Sequence, residues 1–358
     1  MLNPTRGTTP KTASRRTSIL TLIIAVVMLI GPAPGALAGL AAEATPPTQP
    51  ASGPGGADYQ WSASTVRYIT FTDRTKDYWV FGPSAWQGSG PAPSAAPLVV
   101  LLHGWLGDDP KWYEDWITHL VRKGNVVIFP RYQTSALTPP RNFTSNAIYS
   151  LKHALAPSSP AFPAGSVQPD TTLGMTLIAH SYGGPVSANI AARWSAESLP
   201  QPKAILFAEP HNGTIDPSLA GIPATTKIGC LVGDVDTIVG RAGCDALWDL
   251  TGHVPVTNRN YLWMFNDTHG SPDLIADHRV PTSNRDGGVV NALDWYGIWK
   301  LGDALRNCGF FGTDCDYALG NTARQTSLGA WSDGVPVRPL SVSTTKPPCP
   351  PGSGAKGC

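Results

Sequence analysis

The sequence predicts an α/β fold in which a mostly parallel sheet of eight strands is flanked by helices, in three α/β/α layers. Three observations predict it. Short apolar runs recur along the chain, as expected for strands that are covered on both faces. Segments with helical spacing separate several of these runs. The length of 358 residues is enough for one large domain of this kind.

The strands and helices follow in order along the chain. Thr65–Thr72 and Asp77–Phe81 alternate between apolar and polar residues and could form an antiparallel edge hairpin. Six apolar runs predict the buried strands: Leu98–Leu102, Asn125–Pro130, Thr176–Ala179, Ala204–Ala208, Lys227–Val232 and Asn260–Asn266. Helical spacing marks four further segments: Trp112 to Leu120, Ser145–Leu155, Val186–Ser198 and Val289–Leu305. Ligands of such a sheet are expected at the carboxyl ends of its strands.

Residues 1–44 have the pattern of a cleaved export signal, which predicts a secreted protein. Arg15 and Arg16 lie in a basic segment, Ile19 to Ile30 is an apolar run, and Ala36 and Ala38 supply the small residues of a cleavage site. The apolar run is shorter than the roughly 20 residues that span a bilayer, so we expect no stable membrane anchor after cleavage. The export route, general secretory or twin-arginine, stays open.

The remaining chain divides by composition into three parts. Residues 45–57 are rich in Pro, Gly, Thr and Ala and predict a flexible linker. Residues 58–342 predict one catalytic domain, and residues 343–358 predict a Pro/Gly-rich tail outside the core. The formal net charge of +1 argues against a nucleic-acid partner, and we expect a monomer.

The six cysteines predict disulfides rather than metal ligands. None of them forms a C-x-x-C pair, and no histidine lies at zinc-finger spacing from them. Six cysteines allow fifteen connectivities. Pairing between nearest neighbours is one of these, and it gives three bonds: Cys230–Cys244, Cys308–Cys315 and Cys349–Cys358.

The stretch Ala179-His180-Ser181-Tyr182-Gly183 carries the strongest chemical signal. It follows an apolar strand and opens a helical segment, which is the setting of a nucleophile elbow. Such a turn requires very small residues two positions before and after the serine, and Gly183 and Ala179 meet this requirement. A serine at the start of a helix is more often a simple N-cap. The flanking strand and helix favour Ser181 as a nucleophile instead.

A second signal is the end of the run Leu98–Leu102, where His103-Gly104-Trp105 follows. A strand that ends in His-Gly is typical of an oxyanion loop. Gly104 lets the backbone turn, so that the N–H of Trp105 and the N–H of Tyr182 could together bind a tetrahedral oxyanion. Each such donor is worth about 3–4 kcal/mol of transition-state stabilisation in known cases.

These motifs resemble the α/β-hydrolase superfamily over most of residues 60–305. The resemblance implies the chain order serine, acid, histidine. For the acid it points to the segment after the run Lys227–Val232, where a Gly-x-x-Asp ending selects Asp236. Asp234 is the alternative acid on the same loop. Glu209, after the run Ala204–Ala208, is a third candidate.

The base is expected in the segment after the last predicted strand. His269 follows this strand at once and is the predicted base, because a neutral imidazole can take the serine proton near neutral pH. His278 is the alternative base if the loop folds back over the site. We expect His180, beside the serine, to pack rather than to act as a base.

The sequence therefore predicts a secreted serine hydrolase that cleaves small-molecule or polymeric carboxylic esters through an acyl-enzyme. No cofactor and no metal is required by this chemistry. Two alternatives remain: the same triad acting on another acyl bond, as in a peptidase, thioesterase or amidase, and a catalytically inactive binding protein of the same fold.

Overall fold

The computed structural model describes residues 43–62, 65–84, 93–285 and 287–358. The predicted export signal therefore lies outside the described residues, apart from its last two positions. Within the described part of the chain, no helix is long and apolar enough to cross a membrane.

The described residues form a nine-stranded, mostly parallel sheet, one strand more than predicted. The strands are β1 Thr65–Ile69, β2 Tyr78–Gly82, β3 Ala95–Leu102, β4 Val126–Pro130, β5 Gln168–His180, β6 Pro202–Ala208, β7 Lys227–Gly233, β8 Arg259–Met264 and β9 Ser341–Ser343. Their order across the sheet is β1-β2-β4-β3-β5-β6-β7-β8-β9. The pairs from β4 to β8 are parallel, and the pairs at the edges, β1 with β2, β2 with β4 and β8 with β9, are antiparallel.

The strand order reverses at β3, because the chain passes from β3 to β4 on one side and then to β5 on the other. In the register of β3 and β5, Leu102 lies opposite Ala179. In the register of β5 and β6, His180 lies opposite Ala208. The segments that follow β3, β5 and β6 therefore start side by side, at the edge where open α/β sheets bind ligands.

Helices cover both faces of the sheet and complete the predicted three layers. They are α1 Glu114–Arg122, α2 Phe143–Ala154, α3 Gly183–Arg193, α4 Ala242–Leu250, α5 Trp299–Phe311 and the short α6 Ala323–Thr326. Side chains of α2, α3 and α4 pack into one buried cluster, and side chains of α1 and α5 pack into the other. Strand residues alternate between the clusters: Val100 of β3 faces the first cluster, and Val99 faces the second. This burial on both faces explains the continuous apolar runs.

Several elements differ from the sequence-based expectation, among them β5, which begins at Gln168 instead of Thr176, and the short helix α6, which was not predicted. Helix α4 was not predicted. It begins after the loop that carries Asp234 and Asp236, which is called the acid loop below, and the Cys230–Cys244 disulfide ties it to β7. The segment Asp294–Ile298 is a π-helix that leads into α5, so the α-helix starts later than predicted. Strand β9 occupies the boundary between the predicted domain and its tail, and it pairs with β8 through Val342 and Leu262.

The two segments predicted to lie outside the core contact it. In the predicted linker, the Gly55 N–H donates to the buried Asp303 carboxylate over 3.0 Å. In the predicted tail, Ala355 is buried. No local sequence pattern could have predicted these contacts, because the residues that pack against the two segments are distant in the sequence. The three disulfides join nearest-neighbour cysteines, which is one of the connectivities that the sequence left open.

Candidate active site

Ser181 lies between the end of β5 and the start of α3, in the turn that the sequence predicted. Its backbone has φ 54°, in the left-handed region that residues other than glycine rarely adopt. The turn is held by hydrogen bonds from the Gly184 and His211 N–H groups to the Ser181 carbonyl, each 2.9 Å long. A Cβ on Gly183 would overlap the carbonyl oxygen of Leu102. The glycine two residues after Ser181 is therefore required by space.

His278, the alternative base of the sequence analysis, is the histidine that contacts Ser181. Its Nε2 lies 3.0 Å from the Ser181 Oγ, and its Nδ1 lies 2.9 Å from Oδ2 of Asp236. Because a carboxylate can only accept, Nδ1 carries the ring proton and Nε2 is left to accept from the serine hydroxyl. The three side chains form one continuous hydrogen-bonded chain, and all three residues are buried.

The loop after β7 holds Asp236 in place through its second carboxylate oxygen. Oδ1 accepts the N–H groups of Ile238 and Val239 over 2.9 and 3.0 Å. The neighbouring Asp234, the alternative acid, does not reach His278; its carboxylate lies 3.9 Å from the Arg338 guanidinium. The structure therefore brings Asp236, and not Asp234, to the histidine.

The structure does not bring His269, the predicted base, to Ser181. Its Nε2 hydrogen-bonds Oδ2 of Asp333 at the surface, over 2.7 Å. The reason is the shape of the segment after β8. Asp267 and Leu274 pair through their backbones and turn the residues between them outward. The chain then returns, and the Val235 N–H donates to the Ala276 carbonyl, which places His278 over the end of β7.

The predicted oxyanion loop lies against Ser181. A Cβ on Gly104 would come within 3.1 Å of the Ser181 Cβ. The loop closes as a turn, with the Gly107 N–H donating to the Gly104 carbonyl over 3.0 Å. Within the described part of the chain, the N–H groups of Trp105 and Tyr182 donate to no protein acceptor. Both predicted oxyanion donors are therefore available to a ligand.

A buried tyrosine, which the sequence analysis missed, links this loop to the histidine loop. The Tyr113 hydroxyl accepts the Gly104 N–H over 2.8 Å and donates to Nδ1 of His180 over 2.9 Å. Nε2 of His180 in turn donates to the His278 carbonyl over 2.9 Å. Burial lowers the pKa of His180 well below its usual value, with a further contribution from the His278 imidazole. His180 is therefore neutral, and its one ring proton is used in this link.

The C-terminal segment, also missed as part of the site, is hydrogen-bonded to the loop of the acid. The Lys356 N–H donates to the Asp236 carbonyl over 2.8 Å, and the Gly354 N–H donates to the Asp234 carbonyl over 2.9 Å. The Cys349–Cys358 disulfide closes this segment into a small loop. A Cys-x8-Cys ending is the only local signal of such a closed loop, and it does not reveal what the loop contacts.

The Ser181 hydroxyl opens into a cavity of about 410 Å³. Its walls are largely apolar, with Trp105, Leu106, Trp112 and Ile238 among the lining residues. No Asp, Glu, Lys or Arg lines this cavity in the described part of the chain. Trp105 is 40% exposed and Ile238 is 59% exposed, so apolar side chains form the rim. The site suits a ligand that is uncharged and partly apolar.

The chain matches no protein-family model, and no curated protein matches its sequence. The assignment of a function therefore rests on the geometry and chemistry of the site.

Proposed function

We propose that the protein is a secreted serine hydrolase of the α/β-hydrolase fold that cleaves carboxylic esters. The observation that carries the proposal is the hydrogen-bonded chain from Ser181 through His278 to Asp236, with the strained serine at the head of a helix. This arrangement of nucleophile, base and orienting acid defines the serine-hydrolase triad, whatever the sequence around it. The three disulfides support an oxidising location outside the cytoplasm.

The chemistry follows from the positions of the three side chains. His278 Nε2 takes the hydroxyl proton of Ser181 as Oγ forms a bond to the ester carbonyl carbon. Asp236 balances the positive charge that develops on the ring. The N–H groups of Trp105 and Tyr182 stabilise the oxyanion. Collapse of this intermediate breaks the ester C–O bond, and the departing alkoxide takes the proton from His278.

The resulting acyl-enzyme is hydrolysed by water through the same base. His278 takes a proton from water, the oxygen of the water attacks the acyl carbon, and Ser181 leaves with the returned proton. The apolar and uncharged lining of the cavity supports an uncharged ester.

The test is hydrolysis of p-nitrophenyl acetate and butyrate, together with labelling by a fluorophosphonate. We expect Ser181→Ala to lower kcat by about 10⁵- to 10⁶-fold and to abolish labelling. Ser195→Ala, which removes an exposed serine just past the end of α3, is the matched control and should change neither. A wild-type protein that turns over neither ester and takes no label would contradict the proposal and favour a binding protein.

A further inference from the structure

Glu209 is a buried carboxyl group that the mechanism above does not use. It follows β6 directly, and its N–H donates to the Leu231 carbonyl over 2.8 Å. The residue is 1% exposed, yet neither of its carboxyl oxygens has a hydrogen-bond partner among the described residues. Burying a polar group without hydrogen-bond partners costs free energy, so the position of this carboxyl group needs an explanation.

The Glu209 carboxyl points at the same ring nitrogen that Asp236 binds. Its Oε2 lies 3.8 Å from Nδ1 of His278, whereas Oδ2 of Asp236 lies 2.9 Å from that atom. The two acids reach the histidine from the ends of the neighbouring strands β6 and β7. A Cβ on Gly233 would overlap Oε1 of Glu209, so the glycine provides the space for this side chain.

A metal site does not explain the cluster of Glu209, His180 and His278, although their donor atoms lie within 4.8 Å of one another. Nε2 of His180 donates to the His278 carbonyl, and Nδ1 of His278 donates to Asp236. Both nitrogens therefore carry protons that are already used, and neither has a lone pair to offer a cation.

The surroundings of Glu209 favour its neutral form. Burial raises the pKa of Glu209 well above its usual value, and the carboxylate of Asp236 raises it further. Both effects favour the arrangement in which a proton is on Glu209. This arrangement lets two carboxyl groups lie close to one imidazole without mutual repulsion.

We propose that Glu209 is a second acid for His278, a positioning residue that lies beside Asp236 and takes over its role when the Asp236 carboxylate is lost. The proposal rests on the hydrolase function proposed above. Without Asp236, burial still raises the pKa of Glu209, but the largest of the neighbouring charges that raise it is gone, and the imidazolium of the reaction favours the ionised form. A movement of about an ångström, from 3.8 Å toward a normal hydrogen-bond length, then brings Oε2 to Nδ1.

The test compares Asp236→Ala, Glu209→Gln and the double variant in ester hydrolysis. Loss of the orienting acid from a serine triad costs about 10⁴-fold in kcat. We expect Asp236→Ala to lose only about 10- to 100-fold, and the double variant to lose the full amount of about 10⁴-fold. Glu209→Gln alone should cost less than about tenfold, with KM unchanged. Asp234→Ala, on the same loop but away from His278, is the matched control.

The pH dependence separates positioning from a purely structural role. The kcat of Asp236→Ala should rise more steeply with pH than that of the double variant, because only the single variant gains an ionised Glu209. In the otherwise wild-type protein, the unfolded Glu209 ionises above about pH 4.3 while the folded one stays protonated. The wild type should therefore lose stability relative to Glu209→Gln as the pH rises from there. The titratable groups around Glu209 are His180, Asp236, Asp277, His278 and Asp294.

Equal activities of Asp236→Ala and the double variant would overturn the inference. If Glu209→Gln does not fold, as judged by its thermal melt, Glu209→Met replaces it, because that side chain has a similar length and no polar group to satisfy. An inactive Ser181→Ala together with equal Asp236→Ala and double variants would reject the second acid and leave the hydrolase function intact. A Ser181→Ala variant as active as the wild type would reject the hydrolase function itself.

Discussion

Two histidines follow β8, and each of them hydrogen-bonds an aspartate. His269 and Asp333 lie 2.7 Å apart, with side chains that are 36% and 44% exposed. His278 and Asp236 lie 2.9 Å apart, with side chains that are 10% and 0% exposed. The two pairs have the same chemistry and nearly the same length, so the pair itself does not distinguish a site.

The difference lies in what surrounds each pair. The second ring nitrogen of His278 meets the Ser181 hydroxyl, and Asp236 is held by two backbone N–H groups. The His269 pair has no hydroxyl nucleophile in hydrogen-bond contact within the described part of the chain, and solvent reaches both of its side chains. An aspartate orients a histidine for catalysis only where burial fixes the pair and a nucleophile completes it.

The comparison predicts its largest effect when His278 is replaced by alanine. His278→Ala should lower kcat for p-nitrophenyl butyrate by about 10⁴-fold or more, because the serine loses its base. His269→Ala is the matched control and should stay within about twofold of the wild type. The measurement is ester turnover by purified, folded variants. Loss of activity in His269→Ala, with His278→Ala still active, would show that the described geometry is not the working one.

The second-largest effect is expected at the C-terminal loop, which the Cys349–Cys358 disulfide closes. This loop hydrogen-bonds the backbone of the loop that carries Asp236. Exchange of Cys349 and Cys358 with serine frees the segment that donates to the Asp236 carbonyl. We expect kcat to fall roughly tenfold with KM little changed, because a small displacement of a positioned group slows the chemistry.

The control for this experiment is the Cys308–Cys315 disulfide, which joins the end of α5 to the segment that follows it. Replacing Cys308 and Cys315 with serine should lower the melting temperature, but kcat should fall less than it does when Cys349 and Cys358 are replaced. Equal losses of kcat in both double variants would mean that the C-terminal loop contributes only general stability.

The two halves of the site differ in how far the sequence could predict them. The surroundings of Ser181 and Gly104 are local, because a strand, a tight turn and the small residues that it needs all lie within a few positions. The parallel strands were predictable for a similar reason, because burial on both faces gives each of them a continuous apolar run. Such features are encoded by neighbours in the chain, and the structure has them where the sequence indicated.

The choice between His269 and His278 depends instead on long-range contacts. The turn from Asp267 to Leu274 and the hydrogen bond from Val235 to Ala276 decide which histidine reaches Ser181. Residues 266–273, between the apolar Phe265 and Leu274, are all polar, Gly or Pro. This composition is the one local signal that could have indicated a turn toward solvent. The packing of the C-terminal loop on the acid loop had no such signal, because its partners lie more than a hundred residues away.

A smaller effect is expected at Tyr113, whose hydroxyl joins the oxyanion loop to His180. Tyr113→Phe leaves the Gly104 N–H and Nδ1 of His180 without their partner, and an unsatisfied buried group costs about 1–3 kcal/mol of stability. We expect a lower melting temperature and a loss of kcat of several-fold.

Tyr261→Phe is the matched control for Tyr113. It removes another buried tyrosine hydroxyl, which hydrogen-bonds Asp245 and does not line the cavity. This variant should lose stability while it retains kcat. The same kcat in both variants would show that the link through His180 does not position the site.

The smallest effect is expected for the surface pair itself. His269→Ala removes the hydrogen bond to Asp333, but exposed pairs of this kind contribute little because water and salt screen them and their side chains lose freedom when they pair. The melting temperature should stay close to that of the wild type, and any difference should shrink at about 1 M salt, where the Debye length is about 3 Å. His278→Ala should lack this salt sensitivity, because its aspartate is buried. A large salt-dependent loss of stability in His269→Ala would mean that the surface pair anchors the turn that presents His278, and the two histidines would then be coupled.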